Sequence, residues 1–129
     1  MNKNLSIASF LGLTAVVLGA FAAHSLKESL TVDEMEDLTT GIRYQMYHAI
    51  ILLFLNGYQG FSNQFKNRIS FIFFAGILLF SGSIYAIYLL GISAKSIWFI
   101  TPLGGLLLIV GWFWMFLFFL NKSIVKKYY

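Results

Sequence analysis

The sequence contains no cysteine, and this excludes several kinds of chemistry. Without thiols the chain can form no disulfide, thiolate metal site or iron–sulfur cluster, and it has no cysteine that could act as a nucleophile or carry a lipid. Charged residues make up only 11% of the 129 residues, against roughly 25% in soluble domains. Together with 59% hydrophobic residues, this composition indicates an integral membrane protein.

Acidic residues are also few, and they are confined to one segment. All five lie between Glu28 and Asp37, so the apolar runs contain no carboxylate that could carry a proton or act as a general acid. We find no nucleophile beside a base and no phosphate-binding loop. The sequence therefore predicts a protein that is not an enzyme and that binds no cofactor or metal ion. The net charge of +4 comes from basic residues that flank apolar runs, so we expect no nucleic-acid partner.

Four apolar runs, each about 20 residues long, account for most of the chain. They cover residues 5–23, 44–61, 69–90 and 98–120. Thr31 and Glu34 form a capping-box pattern, which predicts that the second helix begins there and that residues 32–43 extend it along the membrane interface. We expect residues 1–129 to form a single all-α membrane domain, a four-helix bundle.

The distribution of lysine and arginine predicts how this bundle is oriented. Six basic residues flank the ends of the spans on one side, and three lie on the other. The larger set is Lys3, Lys66, Arg68, Lys122, Lys126 and Lys127; the smaller set is Lys27, Arg43 and Lys95. Because cytoplasmic loops are enriched in lysine and arginine, both termini should lie in the cytoplasm, with the chain in the cell membrane.

Small residues mark the surfaces where the predicted helices should meet. In the bilayer, helices gain packing by close approach, which glycine and alanine allow. In the first helix such residues recur on one stripe, and others occur in the third and fourth spans. The predicted packing positions are Gly12, Ala15, Gly19, Gly82, Gly104 and Gly105.

A polar stripe runs along the second helix. Gln45, His48, Asn56 and Gln59 fall on one helical face, which should point into the bundle because lipid cannot hydrogen-bond to it. One interpretation is a path or pocket for a polar ligand or a proton. The other is hydrogen bonding between helices, worth about 0.6 kcal/mol per contact in bilayers. We prefer the second, because no span contains an acidic residue that could relay protons.

Polar and aromatic side chains should gather at the non-cytoplasmic end of the bundle. Antiparallel spans would bring several of them to a similar depth, and they form a candidate ligand-binding set: His24, Arg43, Tyr44, Gln45, Tyr47, His48 and Tyr85. Two imidazoles at one depth could ligate haem or a metal ion. Two ligands are, however, too few for a catalytic zinc site. Histidines bonded to backbone carbonyls or tyrosine hydroxyls are the simpler interpretation.

Several segments, in this order, carry a resemblance to a known family. They are GAFAAHSL at 19–26, YQMYHA at 44–49, SGSIY at 81–85 and TPLGG at 101–105, followed by Gly111 and Trp112. Together they resemble the YgdD and YwdK type of small four-helix bacterial membrane proteins of unknown function, related to animal transmembrane protein 256. Where that family has glycines around the first histidine, this chain has Ala22 and Ser25. The resemblance implies a fold and a membrane location and no established activity.

We therefore expect a small non-enzymatic membrane protein. It should act through contacts with the lipid bilayer or with a partner membrane protein, which includes a second copy of itself, and supporting membrane integrity is one form this could take. The alternative is a protein that binds or conducts a small polar, haem or redox ligand through the histidine-containing set.

Overall fold

The computed structural model describes residues 2–127, with side chains for residues 3–122, and its regular structure is helical throughout. The prediction of an all-α fold is confirmed. The helices are α1 (Asn2–Phe21), which continues into a π-helical turn (Ala22–Leu26), α2 (Val32–Gly57), α3 (Asn63–Tyr88), the single turn α4 (Ala94–Ile97) and α5 (Ile100–Lys127).

Three of these helical segments are long and apolar enough to cross a membrane. By length and composition they are Lys3–Leu26, Asn63–Tyr88 and Ile100–Lys122, which correspond to α1 with its π turn, α3 and most of α5. α2 has the same 26-residue length as α3, but it is more polar and is not one of the three.

Hydrogen bonds from side chains fix where α2 and α3 begin. The Thr31 hydroxyl accepts from the Glu34 amide at 3.3 Å, and the Glu34 carboxylate accepts from the Thr31 amide at 2.8 Å, so the predicted capping box is present. Ser62 caps α3 in a similar way through the Phe65 amide at 3.2 Å. The polar segment 62–68, which separates the predicted spans at 44–61 and 69–90, therefore caps and begins α3 instead of forming a loop.

α2 ends earlier than the sequence indicates. Its last residue is Gly57, and Tyr58 already has an extended backbone with ψ 122°, so the prediction that this helix continues to Phe61 is wrong. At the other end of the bundle, Pro102 lies in the first turn of α5, where its missing amide costs no helical hydrogen bond.

The helices lie in the spatial order α1, α2, α3, α5. The main contacts join α3 with α5, α1 with α2, and α2 with α3. In the interface between α1 and α2, Gly12 lies against Ala49 and Gly19 against Ile42. These two helices are therefore antiparallel. α2 and α3 are thus the inner pair of helices, and each has a neighbour on both sides.

The packing stripe of α1 faces α2. Ala15 is buried, and side chains added at Gly12 or Gly19 would point towards the Ala49 and Ile42 side chains at 4.0 and 3.8 Å. α2 also approaches α3 closely, at Gly41: a Cβ there would lie 3.0 Å from Ile84.

The backbones of α3 and α5 approach each other closely at Gly104. A Cβ at Gly104 would overlap the backbone of Leu79 and Phe80, whereas one at Gly105 would be 3.7 Å from the Phe80 ring. Gly76 and Gly111 belong to the same interface, facing Leu108 and Phe73, and the sequence analysis did not single them out.

Gly82 does not lie at a helix contact, contrary to expectation. The only atom near its added Cβ belongs to Leu78 of the same helix. Gly82 instead lines an open groove between α1 and α3, because α1 packs on α2 and does not close against this part of α3.

The outer surface of the bundle is apolar. Large side chains such as Phe10, Phe71, Leu78 and Ile109 are between 61% and 73% exposed. An exposed hydrophobic surface of this kind is what a bilayer requires and what a water-soluble bundle avoids.

The α3–α5 contact leads to a prediction about two neighbouring glycines. Gly104→Ala should force α3 and α5 apart and destabilise the protein by about 1–3 kcal/mol, as overpacking does. Gly105→Ala meets only ordinary contact and replaces a poor helix former, so its stability should stay equal or rise by up to about 1 kcal/mol. Thermal unfolding in detergent, followed by circular dichroism, measures both. Equal melting temperatures for the two variants would contradict the close contact.

Candidate functional site

The buried face of α2 carries polar side chains. Gln45, His48 and Asn56 are 3%, 4% and 1% exposed, and their spacing of three and eight residues places them on one helical face. Gln59 does not belong to this stripe, contrary to expectation: it is exposed and lies beyond the end of α2 at Gly57.

Gln45 joins three helices. Its amide nitrogen donates to the Leu11 carbonyl and to the Thr14 hydroxyl of α1, both at 2.8 Å. Its amide oxygen accepts from the Tyr85 hydroxyl of α3 at 2.7 Å. Both amide hydrogens and the carbonyl of this side chain are therefore engaged, and Gln45 ties α1 to α3 through α2.

His48 uses both ring nitrogens. Trp112 of α5 lies 3.1 Å from Nε2, and the Tyr44 carbonyl lies 2.7 Å from Nδ1. An indole nitrogen can only donate, so Nε2 accepts and Nδ1 carries the proton that is donated to Tyr44. This assigns the neutral Nδ1–H tautomer from its partners. His48 then has no free lone pair for a metal ion or haem.

Near the other end of α2, Asn56 has a role like that of Gln45 and hydrogen-bonds to two other helices. Its amide nitrogen donates to the Leu52 carbonyl and the Ser70 hydroxyl at 2.9 Å, and its amide oxygen accepts from Asn4 at 3.1 Å. Its backbone carbonyl accepts from the ammonium of Lys66 at 3.0 Å. Asn56 thus links α2 to α1 and α3. Lys66, although charged, is only 3% exposed, which the sequence analysis did not foresee.

Further hydrogen bonds join the helices at the end where α2 begins. Ser81 donates to the Gly41 carbonyl at 2.6 Å, and Ser83 pairs with Thr101 of α5 at 2.6 Å. Among the described residues, no buried side-chain nitrogen or oxygen lacks a partner. The polar groups of this part of the interior therefore bond to other protein atoms.

The candidate ligand-binding set does not form one cluster. Gln45 and His48 are buried and Tyr85 is half-buried, whereas the other members are exposed, although the Tyr44 ring stacks on Phe80 of α3 with 4.6 Å between the ring centroids. The exposed members are His24, Arg43, Tyr44 and Tyr47. The role of these residues as a ligand site remains a prediction.

His24 and His48 lie at different depths, so the expectation of two imidazoles at one depth is wrong. The pairing of Gly19 with Ile42 places His24 level with a residue near Asp37, about 11 residues or 16 Å from His48 along the helix. The reason is that α2 begins at Val32 and runs beside the end of α1 before it reaches the buried stripe. Among the described residues there is no group of three or more histidine, cysteine or acidic residues able to hold a metal ion.

An open groove of about 500 Å³ lies between α1 and α3. Its walls are mostly apolar side chains of those two helices, including Leu11, Ile77 and Leu78, and Gln45 and Tyr85 also line it. The sequence pattern did not indicate this groove. Gly82 was its one visible signal, because a glycine on a helix face can leave space as well as permit contact.

Long helices with apolar exteriors and paired interior polar groups define this protein as a helical membrane protein. Residues 18–105 match a family model described as "Protein of unknown function (DUF423)". The chain is 40% identical over 113 residues to a UPF0382 membrane protein of Haemophilus influenzae, covering 86% of this chain and 88% of the relative. It is 35% identical over 116 residues to the UPF0382 inner membrane protein YgdD of Escherichia coli K12, covering 84% and 82%.

The chain therefore belongs to the UPF0382 (DUF423) family of membrane proteins, whose function is uncharacterised. This confirms the resemblance found in the sequence. A third relative, the UPF0382 membrane protein SAB0533 of Staphylococcus aureus, is 38% identical over 100 residues, 78% of this chain and 80% of its own. No solved structure matches the chain.

The Gln45 network makes a prediction about two tyrosines. Tyr85→Phe removes the donor to Gln45 and should cost about 0.6–1.7 kcal/mol, the range measured for hydrogen bonds between helices in bilayers. Tyr47→Phe, at a position that is 55% exposed, is the matched control and should leave stability unchanged. Thermal unfolding of both variants in the same detergent provides the comparison. Equal losses would contradict a Tyr85–Gln45 bond between helices.

Proposed function

We propose that the chain crosses the membrane four times, because α2 crosses it in addition to the three candidate spans. Support comes from the two faces of α2, of which the buried one is polar and the exposed one is apolar. Its buried face carries Gln45, His48 and Asn56, while Ile50 and Phe54 on the outward face are 57% and 46% exposed. In hydrocarbon every polar group needs a protein partner, whereas apolar side chains can face lipid. A helix in water would be expected to have the opposite arrangement.

The depth of α2 follows from its composition. Its first turns carry four acidic residues, from Asp33 to Asp37, which are costly inside the bilayer. The part after Arg43 contains no aspartate, glutamate, lysine or arginine until Lys66, and Arg43 can extend its long side chain to the interface. The acidic end of α2 therefore lies outside the hydrocarbon, and the rest of the helix lies beside α1 and α3.

We infer that both termini lie in the cytoplasm. The basis is the excess of basic residues on that side, as the positive-inside rule requires. Two of them, Lys126 and Lys127, have side chains outside the described residues and count by sequence position alone.

The function best supported is non-enzymatic: the protein acts by contact with lipid or with a partner membrane protein, a second copy of the chain included. The observation that carries this proposal is the pairing of interior polar groups with one another, together with the apolar exterior. A structural contribution to membrane integrity fits such a protein.

A site for a polar, haem or redox ligand through the histidines has less support. Both nitrogens of His48 are bonded to Tyr44 and Trp112, and His24 is exposed at another depth. No observation favours ligation over packing.

The absence of cysteine makes the four-span proposal easy to test, because single cysteines can be introduced without any background. Glu28→Cys and Lys95→Cys lie in the two connections expected outside, and Gln64→Cys lies in the first turn of α3, at the end of that helix expected inside; all three positions are exposed. In intact cells, a membrane-impermeant maleimide should label the first two, and Gln64→Cys should react only after the membrane is permeabilised.

Two results would contradict the proposal in different ways. Labelling of Glu28→Cys and Gln64→Cys from the same side would mean that α2 does not cross. Labelling of Gln64→Cys alone in intact cells would keep four spans but place both termini outside.

A further inference from the structure

We propose that the groove between α1 and α3, called here the lateral groove, binds one acyl chain of a membrane phospholipid. This inference rests on the proposed function in lipid contact and specifies the ligand. Four features of the groove support it: its depth, its chemistry, its size and the glycine that keeps it open.

The lateral groove lies within the apolar part of two candidate spans. It extends along α1 from Ile7 to Leu18 and along α3 from Phe74 to Tyr85, a length of about 16 Å for eleven residues. Ile7 and Leu78 at its rim are 46% and 71% exposed. Its mouth is therefore continuous with the apolar surface that faces lipid, so the molecules that can reach it are those of the bilayer.

The groove offers its occupant an apolar surface. Its polar side chains are already bonded to protein atoms: Gln45 to Leu11, Thr14 and Tyr85, and Ser81 to the Gly41 carbonyl. The Thr14 hydroxyl also contacts backbone carbonyls of its own helix. The hydrogen-bond donors of these side chains are already used within the protein, so a polar ligand would have few partners here, whereas a hydrocarbon chain needs none.

The size of the groove distinguishes an acyl chain from a second protein. A helix with a diameter of about 10 Å and the same 16 Å length would occupy roughly 1,250 Å³, which exceeds even the 950 Å³ of empty space in and in front of the groove. A transmembrane helix from another copy could therefore lie across the mouth of the groove but could not enter it. A single flexible hydrocarbon chain could.

Gly82 keeps the groove open. It lines the wall on α3, and an added Cβ would find only Leu78 of its own helix, at 3.8 Å. A larger side chain at this position would extend into the groove without disturbing a helix contact. Leucine also forms helices better than glycine, so Gly82→Leu should fold.

Retention of a defined lipid tests the proposal. The full chain is reconstituted in vesicles of dioleoyl phosphatidylcholine, extracted in detergent and weighed by native mass spectrometry. The wild-type chain should retain one phospholipid, and Gly82→Leu should retain it at least fivefold less often. Ala20→Leu, which adds similar bulk to an exposed face of α1 outside the groove, should behave as wild type. Leu78→Trp gives a second obstruction, should Gly82→Leu fail to fold.

Equal retention by the wild type, the obstructed variants and Ala20→Leu would overturn the proposal. So would a chain that retains no phospholipid, or a dimer whose formation is lost with Gly82→Leu. These results are separate from the cysteine labelling, because the number of spans does not depend on whether the groove is filled.

Discussion

Buried polar side chains on α2 determine the arrangement of this bundle. Gln45, His48 and Asn56 lie on one face of α2, and lipid can supply none of their partners. Each instead bonds to a neighbouring helix: Gln45 and Asn56 to α1 and α3, and His48 to α5 through Trp112. α2, the most polar of the long helices, therefore has hydrogen-bond partners on each of the other three.

Small residues allow the close helix contacts that accompany these hydrogen bonds. α1 lies on α2 along the stripe that contains Gly12 and Gly19, and α5 approaches the backbone of α3 at Gly104. α1 and α3 both attach to α2 at Gln45 without closing against each other, which leaves the lateral groove. The groove is thus a consequence of how the polar face is satisfied, and its apolar walls match the lipid outside.

Much of this architecture could be predicted from the sequence because it depends on local patterns. The Thr31–Glu34 capping box needs only four consecutive residues, and the inward direction of Gln45, His48 and Asn56 follows from helical periodicity and the cost of polar groups in lipid. Periodicity says which face is buried, however, and not which neighbour it meets. The bond between His48 and Trp112, 64 residues apart, depends on the spatial order of the helices.

The depths of individual side chains and the position of the groove could not be predicted from the sequence, for physical reasons. The capping box predicts where α2 begins, but the level of His24 relative to His48 depends on how far α2 runs beside α1, and the packing of Ile42 against Gly19 decides that. The burial of Lys66 follows from the start of α3 at Asn63, where a polar loop was expected. Gly82 illustrates a third limit, because the same glycine can indicate a helix contact or a vacant groove, and only the position of the neighbouring helix decides.

The most direct test of the account is a spin-label scan of single cysteines from Tyr44 to Gly57 in lipid vesicles. If the polar face of α2 turns inward, collisions with oxygen dissolved in the bilayer should peak at Tyr47, Ile50 and Phe54 and fall at Gln45, His48 and Asn56, with the period of a helix. High accessibility to a water-soluble relaxation agent at those three polar positions, or no periodicity along α2, would contradict the claim that this face is satisfied within the bundle.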